Sequence, residues 1–323
     1  MGKARNRKPL TITILAGVAV LTVVGIVLGV TLLGHHRAGT ASTPGEAVKG
    51  YLEALARGDA AAALAYSDDQ PASKDLLTSD ILKKQIAHWP ITNIRILGGD
   101  SDKPIGDRAE VHVAANFGDK VSDANLTVKK VDGGWKLAKS AFKLHSDVSG
   151  MNAAARTLTV FGKAVTDVTS VFPGYLDFGS SNPYLKVDVA PMLLDHLSEF
   201  SVASYMGTDS FKLNDAGTKA VMDAVNSGLA SCSQSHLAAP PAPCPVSVSN
   251  LTDGTVNWGT ADTSGLSIKL FNQFDMTCMV TGKIDIQMSG KDKYTGDNVN
   301  GHLPVFFSGT ADLTKTPPTL SHF

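Results

Sequence analysis

At 323 residues and a formal charge of −1, the chain has room for two domains of ordinary size, each able to bury a core. The charge is unevenly spread. Residues 1–37 carry five basic side chains (Lys3, Arg5, Arg7, Lys8 and Arg37) and no acidic one, leaving 24 Lys and Arg against 30 Asp and Glu beyond them, a net of −6. An acidic body of mixed surface charge lacks the basic footprint that nucleic acid requires, so nucleic acid is excluded as a partner.

Residues 1–9 form a basic tail, and from Leu10 to Leu33 run 24 uncharged residues rich in Leu, Val, Ile, Ala, Gly and Thr. As a helix rising ~1.5 Å per residue this run spans roughly 36 Å, enough to cross a hydrocarbon core of about 30 Å with some tilt. The four basic residues before it keep the N-terminus cytoplasmic by the positive-inside rule and place the body outside the plasma membrane, as a single-pass protein. The rival is a cleaved signal peptide, for which Ala38 to Ala41 offer small residues. Its apolar region is normally shorter, about 7–15 residues. Either reading exports the body. Gly25 and Gly29 form a small-xxx-small pair through which two such helices could pack.

Residues 34–42 read as a tether. A helix start follows at Thr43-Pro44-Gly45-Glu46, with a capping Thr, Pro in the first turn and Glu three residues after the cap. Ala47, Val48, Tyr51, Leu52 and Leu55 then recur on one helical face. Gly58 ends this helix, Asp59 caps a second that runs to Tyr66, and a third fits Lys74 to Ala87. The period then changes to two. Val111, Val113 and Phe117 alternate with polar residues, as do Leu126 and Val128. Asp132-Gly133-Gly134 makes a tight turn that sends Trp135 and Leu137 to one face and Lys136 to the other. Helices followed by antiparallel strands describe an α+β domain.

The opening Thr-Pro-Gly-Glu-Ala-Val-Lys-Gly-Tyr-Leu-Glu-Ala-Leu-Ala-Arg-Gly-Asp, with the later Asp-Gly-Gly-Trp-Lys-Leu, resembles the NTF2-like superfamily in its membrane-anchored exported bacterial versions. The resemblance implies a cone of three helices on a curved antiparallel sheet over residues 43–149, with a pocket between helix and sheet. It implies no particular activity, since this superfamily holds isomerases, dehydratases, transport factors and inert modules.

Residues 150–323 read as a mostly β extracytoplasmic domain with one helix, Asn214 to Leu229. Strands are expected around Thr157–Val165, Tyr184–Val189, Val246–Trp258, Leu266–Phe271, Met279–Met288 and Leu303–Leu313. The segment with Leu229, Cys232, Pro243, Cys244, Pro245 and Trp258 is similar to exported proteins of actinobacterial type, a likeness that carries no known chemistry. In an exported body a disulfide is favoured. Cys232 and Cys244 bracket a Pro-rich loop just past the helix and are the better pair, while Cys278, among Phe274, Met276, Met279 and Val280, reads as a buried thiol.

Candidate catalytic and metal sites do not outweigh their structural readings. The nine histidines are dispersed with no i, i+4 helical pair, and three cysteines at these spacings lack the pattern of a zinc site. Ser140-Ala141-Phe142-Lys143 matches Ser-x-x-Lys, but in strand-like sequence positions i and i+3 face opposite sides. Asp68 and Asp69, beside Tyr66, could serve as pocket acids but read better as a solvated turn. No catalytic, cofactor-binding or metal residue is therefore assigned, and no cofactor is expected. The sequence points to a membrane-anchored, non-catalytic cell-envelope protein in a binding or accessory role. Its partners would be the membrane and other envelope proteins or cell-wall material. The alternative is an NTF2-like pocket that binds a small hydrophobic ligand or performs simple acid–base isomerase or dehydratase chemistry.

Overall fold

The computed structural model describes residues 41–98, 105–145, 152–197, 204–205, 210–242 and 244–321. The span expected at residues 10–33, with Gly25 and Gly29, lies outside them. Among the described residues no helix is long and apolar enough to cross a membrane.

Helix α1 (Pro44–Ala56) starts where the capping pattern places it. The Thr43 hydroxyl accepts from the Glu46 N–H, and the Glu46 carboxylate accepts from the Thr43 N–H at 3.2 Å. Its Val48, Tyr51, Leu52 and Leu55 are buried. Asp59 caps the short α2 (Ala60–Ala65), and Thr78 caps α3 (Ser79–His88). The third helix begins later than its sequence suggests, because the Leu77 N–H closes a turn on the Lys74 carbonyl before the Thr78 cap. Four antiparallel strands follow in the order β1 (Ile91–Ile96), β2 (Arg108–Phe117), β3 (Lys120–Val131) and β4 (Gly134–Leu137). The β3–β4 turn has positive φ at both Asp132 (51°) and Gly133 (80°), which matches the right-handed twist of a tight hairpin.

The chain then builds three small sheets. β5 (Phe142–His145) pairs with β8 (Ser170–Val171) and β11 (Ser204–Tyr205); β6 (Leu158–Val160) pairs with β7 (Lys163–Ala164) and β9 (Phe178–Ser180); β10 (Leu185–Val187) pairs with β12 (Phe211–Leu213). Helix α4 (Asp215–Ala230), capped by Asn214, precedes a five-stranded sheet. There β15 (Thr277–Lys291) and β16 (Asn298–Asp312) form a long antiparallel ribbon. β13 (Asn257–Asp262) and β14 (Leu266–Asn272) line one edge of it and β17 (Thr319–Ser321) the other. The strand expected from Val246 begins only at Asn257. Residues before it close a loop, with the Ala238 N–H on the Asp253 carboxylate (2.7 Å) and the Gly254 N–H on the His236 carbonyl (2.8 Å).

These elements correct the expected fold class. The α+β plan with an NTF2-like cone of three helices does not appear; the chain is mostly sheet, with seventeen strands and four α-helices among the described residues. The reason is one of length. The 12-residue β3 runs roughly 40 Å, whereas the 13-residue α1 is roughly 20 Å long and cannot cover such a face. Helices α2 and α3 do not make up the difference, since they pack on α1 and on each other. The rest of the inner face is covered by a strap that holds no α-helix, only a short 3-10 turn at Leu194–Leu197. Val171, Phe172, Leu176 and Leu194 join the same buried cluster as Val113, Phe117 and Leu126.

A second cluster forms between α4 and the five-stranded sheet, with Val221, Val225, Trp258, Ile284, Ile286 and Phe307 inside it. The two cores interleave in sequence. The first draws residues as far as Leu197, and the second begins with Ala154. Val165 and Phe178 pack against both.

Candidate functional site

A pocket between helix and sheet would lie on the inner face of β1–β4, and side chains of the chain itself fill that face. Tyr51, Leu52, Leu55, Phe117 and Phe172 are all 0% exposed. The Tyr51 hydroxyl donates to the Ser140 carbonyl at 2.6 Å, and burial pushes its pKa well above the ordinary tyrosine value, so it stays neutral. Gln85 reaches from α3 to the strap, its amide donating to the Phe172 carbonyl at 3.2 Å. The Gln85 Oε1 and Ser140 Oγ atoms are buried without a hydrogen-bond partner. Neither residue lines a cleft described below. Tyr51→Phe should cost about 1–2 kcal/mol, because it leaves the buried Ser140 carbonyl without its donor. Urea denaturation would measure this, and Tyr66→Phe, at a half-buried ring, should stay within about 0.5 kcal/mol of the parent.

The acids named from the sequence stand in the turn after α2. Asp68 and Asp69 are exposed. The Asp68 N–H donates to the Leu137 carbonyl (3.2 Å), and the Asp69 carbonyl accepts from the Ser67 hydroxyl (3.1 Å). Tyr66 lies against α1, where a Cβ at Gly50 would come within 2.5 Å of its ring, so only glycine admits this approach. Burial raises the Tyr66 pKa; the Arg57 charge opposes the shift and the Glu53 charge adds to it. Ser140 is buried and Lys143 exposed, so the Ser-x-x-Lys residues do not meet as nucleophile and base.

Cys232 and Cys244 lie at disulfide distance, with Cα atoms 5.4 Å apart. Cys278 is a free, buried cysteine whose thiol burial pushes up to about 12. Among the described residues no three His, Cys, Asp or Glu side chains converge as metal ligands. Histidines are used in pairs instead: His112 with Asp123 (2.6 Å), His196 with Asp195 (3.2 Å) and His302 with Asp285 (3.4 Å).

Sequence reasoning missed an aromatic cluster that spans the end of α3 and the strap. His88 stacks on Tyr175 with ring centres 4.2 Å apart, Trp89 meets the same ring edge-on at 5.3 Å, and Phe161 does so at 6.3 Å. Lys120 sits over the Trp89 ring at 4.4 Å. Nothing local links positions 88 and 175, so no periodicity could reveal the contact. With its ring faces spent on one another and on Lys120, the cluster clamps the strap to the first core.

Open clefts mark the surface of the described residues. One of about 510 Å³ lies between α2 and α3, where Lys74 donates to Gln70 across the rim at 2.9 Å. A second, about 400 Å³, separates β12 from β14, and its Lys212 is paired with Asp188 at 2.9 Å. The third, about 570 Å³, runs between the Ala220, Asp223, Ala224, Ser227 and Gly228 face of α4 and the Pro317–Leu320 segment, with Tyr184 at one wall. Its Asp223 is held by Lys219 at 2.6 Å. Each cleft has the open shape of a docking groove rather than of an enclosed reaction site. Compared with known protein families, curated proteins and solved structures, the chain matches none.

Proposed function

We propose that this chain is a plasma-membrane-anchored, extracytoplasmic envelope protein that acts by binding and not by catalysis. The carrying observation is the filled inner face of the first sheet. Tyr51, Phe117 and Phe172 occupy the place where a substrate pocket would open. The apolar run at 10–33 with its basic flank supports the anchor, and the Cys232–Cys244 pair suits an oxidising compartment. Binding then falls to the surface, where open grooves suit extended partners such as other envelope proteins or cell-wall polymers better than small molecules.

Protease added to intact protoplasts tests the location. It should digest the body while leaving a membrane-embedded N-terminal fragment, and a body protected until lysis sinks the reading. A second assay tests the binding mode with the full-length protein and a small apolar fluorescent probe. No saturable uptake is expected in the native state; tight stoichiometric uptake lost on Tyr51→Ala would restore a pocket.

A further inference from the structure

A long stretch of backbone edge stays open along β16. Successive residues of a strand turn their backbone groups to opposite sides, and hydrogen bonds at its two ends fix the phase. The Leu313 N–H donates to the Met276 carbonyl at 2.9 Å, in continuation of the β15–β16 register. At the other end the Lys291 carbonyl turns off that ladder and accepts from the Thr252 N–H at 2.9 Å. Lys291 lies opposite Asn298, so the even-numbered residues of β16 point their N–H and C=O groups away from β15. β17 takes up that side only at residues 310–312. Among the described residues no strand pairs with the outward positions before it, which are Asn298, Asn300, His302, Pro304, Phe306 and Ser308.

An edge of this kind is a template for a second copy of the same chain. Charge, the common guard, is missing from it, since residues 298–308 hold no Asp, Glu, Lys or Arg. Lys283 and Asp285 stand one strand further in, opposite Phe306 and Pro304. Val305, Phe306 and Phe307 favour strand pairing, and Phe306 is 67% exposed. What works against pairing is Pro304. It occupies an outward position, so its missing N–H leaves the β15 ladder intact and removes a donor from the open side.

We propose that Pro304 guards this edge against pairing with a second copy of the chain. An antiparallel pair that used the whole edge would be two-fold symmetric and would set His302 against Pro304 of the second copy. The His302 carbonyl then meets the proline ring in place of a donor, once in each copy. A register that leaves both prolines outside the ladder keeps only residues 298–302, centred on Asn300. A ladder that short is marginal by itself.

The test compares the full-length protein with P304T in one detergent, by light scattering over a concentration series and by amide hydrogen exchange. The parent should hold one mass throughout, with the amides of Asn300, His302, Phe306 and Ser308 exchanging fast. P304T should rise to about twice that mass and slow the same amides at least about ten-fold as it associates. P304K supplies the same N–H together with a charge on the edge, and it should keep the parent's mass. Protection of Leu303, Val305 and Phe307, whose N–H groups turn toward β15, reports that the ladder is intact. P304A takes the place of P304T if that protection is lost. A threonine variant with the parent's mass at every concentration overturns the proposal. So does association that leaves the outward amides fast, or a P304K that associates as P304T does.

Discussion

Replacing Phe172 by Ala should destabilise the first core by about 3–5 kcal/mol, the range for removing a large buried aromatic side chain. Phe172 is 0% exposed, sits among the residues that cover the inner sheet face, and its carbonyl accepts from Gln85. The strap it belongs to fills the part of the sheet that α1 is too short to reach, so a cavity there cannot close by moving a helix. Denaturant melts of the variant should show a lower midpoint with little change in slope. The same packing makes a stronger statement about fragments. A chain ending at residue 147 lacks Val160, Val171, Phe172, Leu176, Met192, Leu193, Leu194 and Leu197, all members of the first core. Such a fragment should bind hydrophobic dyes and melt without cooperativity, whereas one extended to residue 197 should regain a sharper transition. A cooperative, dye-free 43–147 fragment would show that the strap is dispensable.

The second large effect is expected at Cys244. Its loss opens a loop that closes twelve residues apart in sequence, and a cross-link of this size contributes about 3 kcal/mol by constraining the unfolded chain. The loop is also tied down by non-covalent bonds. The Trp258 indole donates to the Leu237 carbonyl at 2.9 Å, and Ala238 is held by Asp253. Cys244→Ser should therefore lower the melting temperature while leaving the second core folded at room temperature. Non-reducing peptide mapping should join Cys232 to Cys244. Cys278 should resist alkylation in the native protein for two reasons. It is buried, and a thiol pushed up to about 12 by burial offers almost no thiolate at neutral pH. A bridge containing Cys278, or its rapid native alkylation, would contradict the pairing.

Local signals in the sequence determined local structure. The Thr43–Glu46 capping box, the Asp59 and Asn214 caps, the Asp132-Gly133 turn and the alternation that turns Trp135 and Leu137 inward are each written within a few neighbouring residues. Backbone donors at a helix start, or a φ that only a few residue types accept, are satisfied or refused on that scale. The proximity of Cys232 and Cys244 was legible for the same reason, since a short Pro-rich loop beyond a helix end keeps its ends close. What covers the inner face of the first sheet was decided only in three dimensions. Helical periodicity announced three helices, but it could not show that two of them stack on the first and leave part of the sheet to be covered by other segments. Nor could Val171-Phe172-Pro173-Gly174-Tyr175, which reads as a strand and a turn, announce that it closes the core begun by the first helix.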